Sequence, residues 1–498
     1  MSVSARILRV AIVGALLVLW AGHAWCQNLT IFPKEDLLLV GGDFRLRSIH
    51  SNMAAANDAG GGESGGFPVA DSATKSFFDT RLRLYWDFRP SDLLRVHYRM
   101  EIGDVRFGGC EGDDADCELE GSDVSGNLVP VIGPGAGGGV GADGVNVETK
   151  NIFLEMTLPF VRGLSFRGGI FGYGDRYDFN ILADDFAGLQ LNYRRGDIAA
   201  HLVYLKFFEG DTRDNADDSD WVGIDAEYKL APSTTVASSF HYWSDQGNKG
   251  DLDVDPFQYW AGLEVTSRVG PALLNGYAIL NQGEGYFGRR SGQNSGVNAS
   301  VSGDYFLSFG TLGLQAQYIA GEAGSKVQLE NDGDKRNADI GAWLSYKNHM
   351  YQGPGIISRG PIVDIGDGFN SKWGTGNGYF NGDYNGRLLL IARGAFPVLQ
   401  ERYRDRFTLH LVGAYDMAAA ENANGDSDRG IEFDVWAHVN LMPKLWLRLG
   451  AAYYMTGDWW QNNTDASFDG YGTELGSPAG SDPDNIWQFS VRLQYDFG

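Results

Sequence analysis

The chain has 498 residues, with 40 Lys and Arg against 64 Asp and Glu, for a net charge of −24. That balance argues against a nucleic-acid partner, whose binders carry a basic footprint. The 69 glycines and 13% aromatic content suit many strands joined by Gly-rich loops. No continuous apolar run after the N-terminus reaches the ~20 residues a transmembrane helix needs, so a membrane-embedded form of this chain is a β-barrel.

Residues 1–26 read as a secretory signal. Arg6 and Arg9 precede the apolar run 10–21, and Gly22 and Ala24 permit cleavage near Ala24 or Cys26. A lipid-modified Cys26 is the alternative, although His-Ala-Trp before it matches a lipobox poorly. Cleavage removes two arginines and no acid, leaving 27–498 as one barrel domain with an even more acidic balance.

The first strand is expected at 38–49. The clearest pattern follows at 78–102. Leu82, Leu84, Trp86 and Phe88 alternate with Arg81, Arg83, Tyr85 and Asp87. After the break Arg89-Pro90-Ser91-Asp92, Leu94, Val96, Tyr98, Met100 and Ile102 alternate with Arg95, His97, Arg99 and Glu101. Strand side chains point alternately to opposite faces, so each strand has one apolar and one charged face. The break is short enough only for a tight antiparallel turn. A soluble sandwich would bury the apolar face in its core; a membrane barrel would turn it to lipid and the arginines to a wet lumen. Strands of about ten residues match a bilayer crossing, whereas soluble strands average about five or six. Trp86, Phe88 and Tyr98 suit an interfacial girdle.

The longest loop spans 107–146 and holds Cys110 and Cys117 in GGCEGDDADCELEG. In an exported chain these two are expected to form a disulfide. Two thiols with no nearby histidine are too few for a soft-metal site. Its acids, Glu111, Asp113, Asp114, Asp116, Glu118 and Glu120, leave three readings open. The loop folds into the lumen, or Asp113, Asp114 and Asp116 hold a calcium ion, or it is a solvated acidic surface. The spacing does not match an EF-hand, and the solvated surface is the plainest of the three.

Further strands are expected at 147–158, 163–172, 185–195, 197–207, 220–230, 234–244, 256–268, 271–281, 297–308 and 311–320. Then come 336–347, 384–396, 404–416, 430–442, 444–456 and 486–497. Short connections such as Arg195-Gly196, Gly270-Pro271 and Met442-Pro443 alternate with long ones rich in Gly, Asp, Asn and Ser, among them 173–184. Short turns on one side and long loops on the other are the outer-membrane barrel pattern. With 76–88 and 93–106 the strands number nineteen, and both termini on one side require an even count. The stretch 355–365, broken by Pro361, would make twenty; losing a weak strand makes eighteen. The expectation is an all-β, antiparallel up-and-down barrel of about eighteen strands, within sixteen to twenty. The final strand alternates Trp487, Phe489, Val491, Leu493, Tyr495 and Phe497 with polar residues. It is similar to the C-terminal signal read by the outer-membrane assembly machinery, except that Gly498 follows the aromatic.

The hairpin TRLRLYWDF and LLRVHYRMEIGDVRFG, the acidic Gly-rich loop, GADGVNVETKNIFLEMTLP and DDFAGLQLNYRRGD resemble the outer-membrane homotrimeric porins of sulfate-reducing bacteria. The resemblance spans about residues 76–245. The first hairpin is also similar to alginate-export barrels. These are strand and loop patterns, so they imply architecture, a diffusion channel and a trimer more than a substrate.

The expected lumen face is rich in arginine: Arg45, Arg47, Arg81, Arg83, Arg95, Arg99, Arg167, Arg194, Arg387, Arg393, Arg448 and Arg492. Asp43, Glu101, Glu155, Glu432 and Asp434 share it. Charged rings set pore selectivity; the bland alternative is cross-strand pairing that stiffens the wall, and both can hold together. No GxSxG, HExxH, Walker or CxxC motif is present, so no enzyme and no cofactor are expected. His97, His201, His241, His410 and His438 fall in strands and read as lumen or girdle packing. The leading expectation is an outer-membrane porin for passive diffusion of small hydrophilic solutes, contacting lipid and the assembly machinery. The alternative is a selective channel or exporter for an anionic saccharide or polysaccharide.

Overall fold

The computed structural model describes residues 37–54, 69–106, 147–208, 218–245, 256–287, 290–321, 386–398, 406–421, 425–458 and 485–498. Eighteen strands form one sheet. They are β1 Leu37–Ala54, β2 Val69–Ser91, β3 Leu94–Arg106, β4 Val147–Thr157, β5 Leu164–Gly174 and β6 Ala183–Arg195. Next are β7 Ile198–Phe208, β8 Ser219–Ala231, β9 Thr234–Asp245, β10 Phe257–Val269, β11 Ala272–Phe287 and β12 Arg290–Leu307. The last six are β13 Gly310–Ile319, β14 Arg387–Pro397, β15 Phe407–Met417, β16 Asp428–Met442, β17 Leu445–Thr456 and β18 Ile486–Phe497. Each strand pairs antiparallel with its neighbours in the chain, and β18 pairs with β1, with Phe497 opposite Gly42. The sheet is therefore a closed barrel with no unpaired edge, the one β-architecture that satisfies its backbone within lipid.

The period-two pattern places the side chains. On β16, Glu432, Asp434 and Trp436 are buried inside while Ile431, Phe433 and Val435 stand exposed outside. The same holds on β2, where Asp79, Arg81 and Asp87 turn inward and Phe78 and Phe88 outward. Exposed Leu, Val, Ile and Phe recur on most strands and form a belt around the wall. An apolar surface of that extent is not stable against water. It suits lipid, with strands tilted across the bilayer.

Two expectations change. The strand expected at 336–347 and the weak strand at 355–365 lie outside the described residues, and β13 pairs directly with β14. The wall passes from one to the other without a strand between them, and the count is the expected eighteen. Alternation reports that a segment has two faces; it does not report what the segment pairs with. Several strands also run longer than expected, β2 beginning at Val69 and β12 at Arg290. The apolar alternation stops where the belt stops, whereas backbone pairing continues beyond it.

Described short turns join β2 to β3, β4 to β5, β6 to β7, β8 to β9, β10 to β11, β12 to β13 and β16 to β17. The ends of β1 and β18 lie at that same end, since Leu37 is opposite Arg89 and Phe497 opposite Gly42. Gly196 and Gly270 hold φ values of 59° and 58° in two of these turns, a conformation that costs glycine little.

Candidate functional site

The interior has two unlike sides. The first runs across β17, β18, β1, β2 and β3. Asp43, Arg45 and Arg47 on β1, Arg81 and Arg83 on β2, Arg448 on β17 and Arg492 on β18 all sit at inward positions. Register brings them side by side: Arg448 is opposite Arg492, Arg492 opposite Arg47, and Arg45 opposite Arg81. Like charges directly opposed across strands are destabilising, so carboxylates must lie between them. Arg47 donates through Nε to both oxygens of Asp79, at 3.1 and 2.8 Å, and Arg45 reaches the same carboxylate at 3.5 Å. These groups are nearly inaccessible, Arg45 at 1% and Asp79 at 1% exposure. Glu101 accepts from Arg83 and lies 3.9 Å from Arg81 and 3.7 Å from Lys150. The Trp446 ring lies beneath both Arg448 and Arg492, their guanidinium carbons 5.3 and 5.0 Å from its centre.

Other expected lumen arginines are also paired. Arg95 holds Asp87 through two bonds of 2.7 and 3.0 Å, and His97 joins that carboxylate at 2.8 Å. Arg167 grips Glu155 at 2.9 and 2.6 Å, Arg387 grips Asp416 at 3.0 and 3.1 Å, and Arg393 grips Asp304 at 3.0 Å through each of two nitrogens. Arg194 is not among these groups; it lies exposed at the turn end of β6. Arg99 differs again. It lies opposite Tyr85 and Asn151, and forms no ion pair among the described residues.

The second side spans β4 to β13 and contains what sequence reasoning missed. The connection 175–182, between β5 and β6, folds against the inner face of the wall. Asp175 organises it: its carboxylate accepts backbone N–H bonds from Tyr177 at 2.7 Å and from Ile181 and Leu182 at 2.8 Å each. Burial pushes this carboxyl up to about 6 against the pull of those three donors. Across the interior, the Tyr177 hydroxyl meets Ser239 Oγ at 2.6 Å. Arg176 donates to Glu264 at 2.6 Å and Glu227 at 3.4 Å. Asn180 donates to the Tyr277 hydroxyl at 2.9 Å and accepts from Gln317 at 3.0 Å. At the tip, Asp178 and Phe179 adopt φ values of 55° and 59°, a left-handed pair costing roughly 1–3 kcal/mol per residue unless its surroundings enforce it. Burial and the neighbouring Glu264 raise the Asp178 carboxyl.

Beneath the segment the wall is packed. Trp221, Trp243, Trp260, Ile279, Val203 and Leu205 are buried with Tyr177, Ile181 and Leu182 in one apolar cluster, and the Trp221 and Trp260 rings stack at 4.9 Å. Beside it, the side-chain amides of Gln258, Asn281 and Asn294 close a ring of hydrogen bonds on β10, β11 and β12. Gly283 lies between Gln258 and Asn294 in register, and a Cβ there would sit 2.4 Å from the Gln258 amide carbon, so only glycine lets that side chain cross.

The sequence signal for the inner segment was present. Among connections rich in Gly, Asp, Asn and Ser, GDRYDFNILA carries Tyr177, Phe179, Ile181 and Leu182. Four large apolar side chains in eight residues call for a surface to cover them. The loop 107–146, with Cys110, Cys117, Asp113, Asp114 and Asp116, lies outside the described residues. Among the described residues no group of three His, Cys, Asp or Glu is placed to hold a metal ion.

The chain was compared with known proteins. No family model matches it, and no curated protein matches it. Its fold is similar to solved outer-membrane porins of the Occ/Opd type. OccK9 (OpdG) of Pseudomonas aeruginosa superimposes with a TM-score of 0.50 at 13% identity, over 92% of this chain and 98% of that one. OccAB4 of Acinetobacter baumannii gives 0.50 at 12%, over 94% and 99%. At such identities the likeness is one of fold.

Proposed function

We propose that the protein is an outer-membrane porin, a water-filled channel through which small hydrophilic solutes diffuse passively. The observation that carries this reading is the facing of the wall. A closed barrel turns an apolar belt outward and puts ionised side chains, fixed by ion pairs, on its inside. An interior of that kind pays its desolvation cost only where water or fixed counter-charges remain in contact with it. The segment 175–182 narrows the passage from one side, and the arginines of β17 to β3 face it from the other. Substrate passing between them meets a basic surface, which favours small anions more than the acidic composition implies.

A cleaved signal over 1–26, insertion in the outer membrane and a homotrimer belong to the same proposal. Single-channel recording of the purified full chain in planar bilayers tests the channel, with reversal potentials in a salt gradient for its charge preference. Discrete conductance steps are expected. Absence of steps from folded, bilayer-inserted protein would sink the porin reading. Mass measurement in mild detergent tests the trimer, which a monomer alone would remove.

A further inference from the structure

We propose that the buried carboxyl groups of the inner segment form a proton-operated latch: proton uptake holds residues 175–182 against the wall, and proton loss loosens them. The effect on current rests on the channel reading; the latch itself does not.

The geometry centres on His241 of β9. Its ring is fully buried, packed 5.5 Å from the Trp221 ring and accommodated by Gly223, where a Cβ would lie 2.5 Å from Nδ1. Neither ring nitrogen makes a hydrogen bond among the described residues. Nε2 lies 3.6 Å from one oxygen of Asp225 on β8. The other Asp225 oxygen lies 3.5 Å from Nε2 of His201 on β7 and takes the Tyr173 hydroxyl of β5 at 3.4 Å. His201 is 40% exposed, so protons reach the cluster from the interior water. One step along the register, Ser239 is opposite Asp225 and holds the Tyr177 hydroxyl of the inner segment. The titratable cluster and the docked segment therefore share the same two strands.

The titratable and charged groups facing this point come from six sources. The segment brings Asp175 and Arg176, β8 brings Asp225 and Glu227, and β10 brings Glu264. β7 and β9 bring the two imidazoles, and β5 adds the neutral Tyr173 hydroxyl. With Asp178 at the tip of the segment, five carboxylates lie around Arg176, and Arg393 of β14 acts on Asp178 as a second cation. A proton on a carboxyl of the segment reduces the negative excess of this cluster. When the segment is docked, Asp175 is buried; when it is released, Asp175 is in water. The docked state therefore binds protons more tightly, and by linkage acid favours docking. The sign follows from the Asp175 carboxyl, raised from 3.8 to about 6 when docked. Docking is strongest below the released value and weakens as pH rises through about 6. Between pH 5 and pH 7 that shift corresponds to about a tenfold fall in the docking constant.

The experiment is hydrogen exchange over residues 175–182 in the purified full chain, corrected for the intrinsic exchange rate at each pH, with single-channel conductance recorded in parallel. Protection of the segment is expected to rise about tenfold from pH 7 to pH 5, and conductance to fall over the same interval. Asp175→Asn should flatten the response, and Asp178→Asn, at the tip of the segment, should reduce it without preventing assembly. Protection that is unchanged or weaker at pH 5 in the wild type overturns the latch. Increased protection in a protein that carries no current at any pH supports the latch and overturns the channel reading. Increased protection with a pH-independent current overturns the latch's control of the pore.

Discussion

On the interior of β17, β18, β1, β2 and β3 the wall carries guanidinium groups in adjacent register, whereas from β8 to β13 it carries indoles and amides covered by a segment of the chain itself. Both sides are buried, Arg45 as much as Trp260. They reach burial by different chemistry. On the packed side, neutral groups bond one another in places, as in the Gln258, Asn281 and Asn294 ring, and apolar area supplies much of the stability. On the charged side, stability depends on a few carboxylates, Asp79 and Glu101 foremost, each placed between cations that would otherwise repel. On the proposed porin reading, the packed side narrows the passage and the charged side supplies the field that a solute would meet there.

The comparison can be broken most directly by attacking the pieces on which each side depends. Trp260→Ala opens a cavity under the inner segment and should cost about 3–5 kcal/mol in folding stability, read by the denaturant midpoint, with ion selectivity little changed. Asp79→Ala leaves Arg45 and Arg47 without the carboxylate between them and should cost about 3 kcal/mol. Unlike the tryptophan variant, it should also move the reversal potential toward anion preference. If the two variants change selectivity alike, the interior is not divided as described.

Leu84→Arg on the outward face of β2 tests the facing that both sides share. It should cost roughly 2–4 kcal/mol near the bilayer midplane, measured as lost assembly into lipid vesicles, while Arg83→Leu, facing inward, assembles. Asn180→Ala removes the bonds to Tyr277 and Gln317 and should weaken docking of the inner segment by about 1–3 kcal/mol, seen as noisier single-channel current. The smallest effect expected is on selectivity from single charges. Arg83 and Arg95 are each held by a carboxylate, whereas Arg99 has no ion pair among the described residues. Arg99→Gln should therefore shift the reversal potential toward cations more than the double change Arg83→Gln/Arg95→Gln does. Equal shifts would mean that pairing does not mute these charges.

How far the sequence carried can be argued from particular residues. Period two put Arg81 and Arg83 on the face opposite Phe88, because a strand offers only two faces; strand length and the alternation of short and long connections then set which face turns inward, as the structure has it. The acids that hold those arginines did not follow. Asp79 and Asp416 carry no mark in the sequence, and Asp87 shows its face but not its partner, because an aspartate in a strand gives no sign of what it will pair with. Arg47 meets Asp79 across 32 residues of sequence, and the distance in chain says nothing about the register that joins them.

The sequence by itself determined the class of the fold, the alternation of short and long connections, and which side chains belong to lipid. These are local properties, set by spacing along one strand and by turn chemistry. Only the tertiary structure decided that Arg492 meets Arg47 when β18 closes on β1, that β13 pairs directly with β14, and that 175–182 turns inward to dock on β9, β11 and β13. Those outcomes depend on closure: the register of the last pair and the width of the space inside are fixed only when every strand is in place.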